Sequence, residues 1–270
     1  MPAPDIWIVG LAAAPDDAGP VDFKPVPLRP DLDVEIPRSY GEIEAVGVFG
    51  DTAAGKLPVK RIDGQVFGRS TGQYASLNLG LHVDDVPETV QQNRARVARE
   101  LPAQPLWLDQ VHGDHVVEVV ASTFSHKSLQ PPVADASFTR QVGVVLAIMV
   151  ADCLPIVLAS CDGKEIALVH AGWRGLANGI LERVVEKFKS TELQAWLGPA
   201  IGPCHYEVDH KVRDSFQNDE GFVKGRDSQH WMFDLCEQAR NQLLVQGVSS
   251  VTASGICTAC DDRFYSHREM

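Results

Sequence analysis

The segment from residue 142 to residue 169 constrains the fold most. Three apolar runs follow one another there: Val142 to Val150, Ile156 to Ala159 and Ile166 to Val169. They are rich in β-branched residues and bounded by glycine, proline and aspartate, as buried strands are. The longest apolar stretch, Val142 to Ala151, is interrupted by Gly143 and followed by Asp152. A membrane span needs about 18 or more apolar residues, so this stretch reads as a buried strand. After the third run, Leu176, Ile180, Val184 and Phe188 recur every fourth residue, with Leu181 and Val185 beside them. That spacing predicts an amphipathic helix.

The rest of the chain alternates in the same way. Glu88 to Leu101 reads as a helix begun near Pro87, with Val90, Val97 and Leu101 on one side. A second runs from Asp234 to Leu244, with Leu235, Ala239 and Leu243 on one face. Ala45 to Phe49, Gln65 to Phe67, Leu106 to Leu108 and Val116 to Val120 read as strands. Strand runs with separated helices indicate an α+β fold. Residues 1–41 are proline-rich and read as an extended or loosely packed arm, and residues 42–270 as a single domain.

Composition narrows the function. Of the 270 residues, 44% are hydrophobic and 22% charged, the balance of a globular protein with a substantial core. The net charge of −12 argues against a sequence-blind grip on nucleic acid. A small anion remains compatible, since a basic pocket can sit in an acidic surface. No transmembrane segment and no basic-then-apolar leader is apparent, so a cytoplasmic location is expected. The six cysteines then read as thiols or metal ligands rather than a disulfide framework.

Four segments carry candidate chemistry. His170-Ala171-Gly172-Trp173-Arg174-Gly175 joins a strand to a helix expected to begin near Leu176. Glycine lets the backbone approach a ligand, the helix N-terminus favours an anion, and Arg174 suits phosphate or carboxylate. The plain alternative is a glycine-rich turn with a satisfied histidine. Ala151-Asp152-Cys153-Leu154-Pro155 offers a nucleophile with its acid, or a thiolate ligand. A buried inert cysteine is the commoner fate of such a residue. Gln110-Val111-His112-Gly113-Asp114-His115 offers two histidines on a turn, and Asp135 a lone carboxylate after Pro131-Pro132. Together His112, Cys153 and His170 form a two-imidazole, one-thiolate set, the pattern of a catalytic zinc site, and copper suits it too.

Cys257-Thr258-Ala259-Cys260 has CxxC spacing but no second CxxC to pair with, so a structural zinc site is not expected there. His82, His126, His205, His210 and His230 read as ordinary surface or core histidines.

These motifs, in order, resemble one family. The run Tyr74-Ala75-Ser76-Leu77-Asn78-Leu79-Gly80 precedes the histidine, Asp135, Asp-Cys and His-Ala-Gly-Trp-Arg-Gly segments. Gly198-Pro199-Ala200-Ile201-Gly202-Pro203 with Tyr206-Glu207-Val208 follows, then Cys257-Thr258 and Phe264-Tyr265-Ser266-His267-Arg268. Order and spacing over residues 65–268 are similar to the YfiH family, whose members are described as purine nucleoside phosphorylases with adenosine deaminase activity. They are also labelled polyphenol oxidases or laccase-domain proteins. The resemblance implies an α+β fold of layered mixed sheets with outer helices. It implies one zinc or copper per chain on His112, Cys153 and His170, and purine nucleosides and phosphate as ligands. Arg69 carries over from the segment Gly68 to Gln73, a short version of the family's Thr-Arg-x-Gly-Gly stretch. Asn78 joins it as a substrate-binding candidate. The chain departs from the family before residue 42. It departs again at Met270, where relatives continue into a last apolar strand.

The resemblance implies phosphorolysis of adenosine, inosine and 5′-methylthioadenosine to free base and ribose or methylthioribose 1-phosphate, with deamination of adenosine. Arg174 and Arg69 are the phosphate candidates, and Asp135 or Asp152 the proton carrier or ligand orienter. A metal that lowers the pKa of water suits deamination at C6. The alternatives are a copper-dependent phenol oxidase and a metal-free cysteine hydrolase using Cys153 and His170. A multinuclear copper laccase is disfavoured, because the chain's nine histidines include no His-x-His pair.

Overall fold

The computed structural model describes residues 6–9, 47–48, 68–71, 78–99, 101, 103–120, 130–141, 144–261, 264 and 266–268. Its elements in chain order are β1 (Ile6–Val9), β2 (Gly47–Val48), α1 (Pro87–Ala98), β3 (Pro105–Leu106), β4 (Val116–Glu118) and β5 (Ala136–Thr139). Then come β6 (Val145–Met149), β7 (Leu154–Ser160), β8 (Ile166–Ala171), α2 (Trp173–Ala177), α3 (Ile180–Val185) and β9 (Leu193–Leu197). The last are β10 (Glu207–Asp209), α4 (His210–Arg213), β11 (Phe222–Lys224), β12 (His230–Phe233), α5 (Leu235–Val245) and β13 (Ser250–Ala253).

The three apolar runs are β6, β7 and β8, but they divide between two sheets. β7 and β8 are the centre of a six-stranded mixed sheet in the order β13-β9-β7-β8-β5-β4. β6 belongs to a four-stranded sheet, β2-β1-β6-β3. A small third sheet runs β10-β12-β11.

Alternation along β7 and β8 explains the layering. Leu154, Ile156 and Leu158 of β7, with Ala167, Val169 and Ala171 of β8, face a core shared with Leu176, Ile180, Val184, Leu235, Ala239 and Leu243 of the helices. The intervening Val157, Ala159, Ile166 and Leu168 face Leu146 and Ile148 of β6. A period of two therefore buries both faces of the central strands, which is why they read as continuous apolar runs. On the far side of β6, Val145 and Met149 pack with Val97 of α1. The result is helix, sheet, sheet, helix: an α+β fold with mixed sheets and outer helices, in agreement with the expectation.

Several boundaries differ from the sequence reading. The helix expected over residues 176–188 begins earlier, at Trp173, and breaks at Asn178 and Gly179 into α2 and α3. Gly179 sits at φ 82°, a left-handed conformation that ends one helix and starts the next. Helix α1 stops at Ala98, short of Leu101. Helix α5 begins as expected at Asp234, whose carboxylate accepts from the Glu237 N–H as an N-cap. The strand expected over residues 65–67 lies outside the described residues, as does His126. No helix among the described residues is long and apolar enough to cross a membrane.

Strand register is what positions the site. Leu154 pairs with Ala171 and Pro155 with His170, so Cys153 enters β7 beside the end of β8. Ala136 pairs with Val169, which brings Asp135 level with His170. The His170 N–H donates to the Asp135 carbonyl at 2.8 Å.

Candidate metal centre

Among the described residues, two groups of His and Cys side chains bring their ligand atoms within 4.8 Å of one another. One is His112, Cys153 and His170, the set expected from the sequence. His170 is buried, Cys153 partly buried and His112 exposed, so the group is open to solvent on one side. The two imidazole rings lie 4.8 Å apart between centroids, at 75° to each other. One thiolate, two imidazoles and an open position are what a catalytic zinc ion takes, and a copper ion fits the same donors.

Asp135 organises this group. Its buried carboxylate accepts from three successive backbone N–H groups, those of Val111 at 3.2 Å, His112 at 2.9 Å and Gly113 at 2.7 Å. The same carboxylate lies 2.8 Å from Nδ1 of His170. One side chain thus fixes the turn that carries His112 and turns the other ring nitrogen of His170 toward the cluster. A carboxylate behind a ligating histidine is the usual means of fixing its tautomer.

Two non-glycine residues hold left-handed backbone here: His112 at φ 60° and Asp152 at φ 76°. Such conformations cost energy and persist only where the surroundings enforce them. For His112 the enforcement is the Asp135 carboxylate. For Asp152 it is a set of bonds from the C-terminal segment. Thr258 Oγ1 donates to Asp152 at 2.6 Å, and Ser266 Oγ and the Arg268 N–H each at 3.0 Å. The Asp152 carbonyl also accepts from the Ile201 N–H at 2.9 Å. Asp152 is therefore a positioning residue that sets Cys153, with its carboxylate already engaged.

Glycines make room for the ligands. A Cβ on Gly172 would lie 3.1 Å from Cys153 Sγ and 3.2 Å from a ring carbon of His112. A Cβ on Gly175 would lie 3.0 Å from the Gly113 carbonyl, so α2 rests directly on the His112 turn. The Asp114–Arg183 ion pair, at 2.9 Å, ties the same turn to α3.

Charge is balanced within the cluster. Burial by itself would raise the Cys153 thiol, but His170 and His112 outweigh it and bring its pKa down to about 6. Burial would lower His170, yet Cys153 and Asp135 raise it to about 9. Burial likewise works against ionisation of Asp135, and the hydrogen bonds from His170 and the Gly113 N–H overcome it, leaving its pKa lowered.

The other sequence candidates are placed less uniformly. Arg174 is exposed, with its guanidinium 4.6 Å from the Trp173 ring centroid. Its helix begins at Trp173 and is five residues long, so the expected helix N-terminus after Gly175 is not there. A helix this short contributes little dipole. Asn78 is buried and spends its amide within its own loop, donating to Asp85 at 2.9 Å and accepting from the Gly80 N–H at 2.8 Å. The Arg69 backbone N–H donates to Asn93 at 2.8 Å, in the same network. Those hydrogen bonds do not reach His112, Cys153 or His170. That loop does approach them through His82, whose pKa is lowered by burial and by the charges of Arg94, His112 and His170.

Tyr206 lies in the Tyr206-Glu207-Val208 motif, which by itself assigns it no role. Burial raises its pKa, and so does the nearby charge of Cys153, while Arg268 and Arg174 oppose them. Its hydroxyl therefore stays protonated, and the Arg268 guanidinium lies 5.8 Å from its ring centroid. The second group, Cys204, His205, Cys257 and Cys260, was not expected at all.

Comparison with known proteins gives the family. The family model described as multi-copper polyphenol oxidoreductase laccase matches residues 62–270. The chain belongs to this family. Among its YfiH-type relatives, a purine nucleoside phosphorylase of Pseudomonas aeruginosa is 44% identical over 209 residues, covering 74% of this chain and 84% of that relative. Purine nucleoside phosphorylase YfiH of Escherichia coli is 39% identical over 212 residues, covering 76% and 85%. Two crystal structures are similar, each with TM-score 0.68 over 74% of this chain. Neisseria meningitidis protein NMB0706 is 37% identical with 84% of its chain covered, and Geobacillus stearothermophilus YlmD is 35% identical with 82% covered. The "multi-copper" in the family's description meets the same shortage of histidine pairs as before.

Proposed function

We propose that this chain is a metal-dependent purine nucleoside phosphorylase acting at His112, Cys153 and His170. It would cleave adenosine, inosine and 5′-methylthioadenosine with phosphate and deaminate adenosine. The observation that carries the reading is the Asp135-braced His-Cys-His group, open at His112 and followed within four residues by the exposed Arg174. The names of the relatives supply the substrate class.

When bound, zinc or copper would supply Lewis acidity at the open position. The chain's own groups would do the rest. Arg174 offers a planar, permanently charged donor for phosphate oxygens, and Arg69 is a second candidate for the same task. Tyr206, protonated and partly buried, can donate a hydrogen bond to a ribose or base oxygen. Asp135 holds the Nδ1 proton of His170, so the opposite nitrogen is kept as a ligand. Asn78 serves by keeping its loop, and with it His82, against the site.

The test is product identification. Adenosine and inosine are incubated with the protein, with and without phosphate. The reading requires free base and ribose 1-phosphate only when phosphate is present, and a strong loss of phosphate dependence in Arg174→Ala. Deamination of adenosine to inosine should proceed without phosphate. Oxidation of phenols with added copper, in the absence of nucleoside turnover, would replace this reading with the oxidase one.

A second reading has one observation in its favour. A thiol at about 6 beside an imidazole at about 9 is a thiolate–imidazolium pair, the resting state of a cysteine nucleophile. His112 on the third side is superfluous to that chemistry and fits a metal site. Full activity in metal-free protein would favour the hydrolase.

A further inference from the structure

We propose that Cys204, His205, Cys257 and Cys260 form a second, structural metal site that takes a zinc ion on three thiolates and one imidazole. The CxxC pair finds its partners not in a second CxxC but in adjacent residues more than fifty positions upstream.

The distances are those of a tetrahedron. Around zinc with bonds of about 2.0–2.3 Å, neighbouring ligand atoms lie roughly 3.5–3.8 Å apart. Here Cys204 Sγ is 3.6 Å from Cys257 Sγ and 3.3 Å from Cys260 Sγ. Nδ1 of His205 is 3.3 Å from Cys204 Sγ, 3.9 Å from Cys257 Sγ and 3.3 Å from Cys260 Sγ. Five of the six edges are thus within a few tenths of an ångström of the required length, and the sixth falls within 4.8 Å. Four protein ligands close the coordination sphere, which is the mark of a structural rather than a catalytic ion.

The surroundings favour a thiolate at Cys257. The Gly202 N–H donates to Cys257 Sγ at 3.1 Å. A side chain at Gly202 would crowd the cluster, its Cβ falling 3.1 Å from Cys257 Cβ and 3.3 Å from Cys257 Sγ. The two ligand segments already pair through the bridge between Ala200 and Cys257, and the Thr258 N–H donates to the Ala200 carbonyl at 3.0 Å. Binding one zinc ion would release the three thiol protons and leave His205 neutral.

The ion would also brace the first site. Its two arms are the segments that hold Asp152: Ile201 bonds the Asp152 carbonyl, and Thr258 its carboxylate. Asp152 precedes Cys153. The second site therefore clamps the strained residue that sets the thiolate of the first, without touching substrate.

The experiment uses the full chain without a histidine tag, purified under reducing conditions. Elemental analysis should find two ions per chain when both groups are filled, one of which survives in Cys153→Ala. Cobalt added to metal-free Cys153→Ala should give one equivalent of an intense thiolate-to-metal absorption, weakened by adding Cys260→Ser. Cys204→Ser in the otherwise unaltered chain should lose one ion and keep the other. A Cys153→Ala protein that binds neither zinc nor cobalt would overturn the proposal. So would peptide mapping that finds Cys204 and Cys260 joined as a disulfide in place of the ion. Neither result bears on nucleoside turnover, so the two readings fail separately.

Discussion

Asp135 and His170 face each other across neighbouring strands, with carboxylate and Nδ1 2.8 Å apart, and the same carboxylate holds the backbone of residues 111–113. Two ligands from distant segments therefore share one anchor. Asp135→Asn keeps the shape but replaces an acceptor oxygen with an amide NH2, a donor that faces N–H donors. Metal affinity should fall by about 10–100-fold, as for other partners behind a metal ligand. Buried donors left unpaired should cost about 1–3 kcal/mol of stability as well. Chelator competition and thermal unfolding measure the two effects, and unchanged metal affinity would remove Asp135 from the site's support.

Gly172→Ala probes the close approach of β8 to the ligands. Gly172 has φ −79°, which alanine adopts freely, so backbone strain does not enter. The added methyl would press on Cys153 Sγ and the His112 ring. Metal affinity should drop strongly while the far-ultraviolet circular dichroism stays that of the unaltered protein. A variant that binds metal normally would show that the cluster can yield without loss.

Much of this site could be read from the sequence, and the reason is local. His170 and Arg174 lie on one strand-to-helix segment, and Cys153 at the entry of an apolar strand, so glycine and breaker residues mark them. The fold class followed from the same runs, because strands buried on both faces leave no polar alternation to confuse them. What could not be read depends on register. Nothing around Asp135 says that it will meet the N–H groups of residues 111–113. Nothing near Cys257 points to Cys204, because only the pairing of Ala200 with Cys257 brings them together. The helix break at Gly179 was missed for the opposite reason. The apolar spacing continues through it, and one left-handed residue is enough to divide the helix while keeping both halves on the same core.

The thiol of Cys153 should titrate low in metal-free protein. Its pKa of about 6, against an ordinary 9, means that thiolate is present above pH 6 and is lost as the pH falls through that value. Alkylation by iodoacetamide, read at Cys153 by peptide mass spectrometry, should therefore rise with a midpoint near pH 6. His170→Asn should move the midpoint upward, since the charge that favours the thiolate is gone. A midpoint near 9 in the unaltered chain would contradict the electrostatic description.

Thr258→Val tests the support of Asp152. The hydroxyl donates to a buried carboxylate, and such bonds contribute about 1.5–3 kcal/mol. The midpoint of chemical denaturation should fall accordingly, with an unchanged denaturant slope. Metal affinity should weaken too, because Asp152 at φ 76° loses one of the bonds that hold it there. A neutral substitution would mean that Ser266 and the Arg268 N–H suffice.

The most direct measurement of the whole account is inosine phosphorolysis followed as metal is removed and returned. The protein is stripped with a chelator, refilled in steps, and assayed for ribose 1-phosphate at each occupancy, with Cys153→Ala in parallel. The account predicts that activity vanishes with the metal and returns in proportion to the one ion that Cys153→Ala fails to bind. Stripped protein that retains full activity would contradict it.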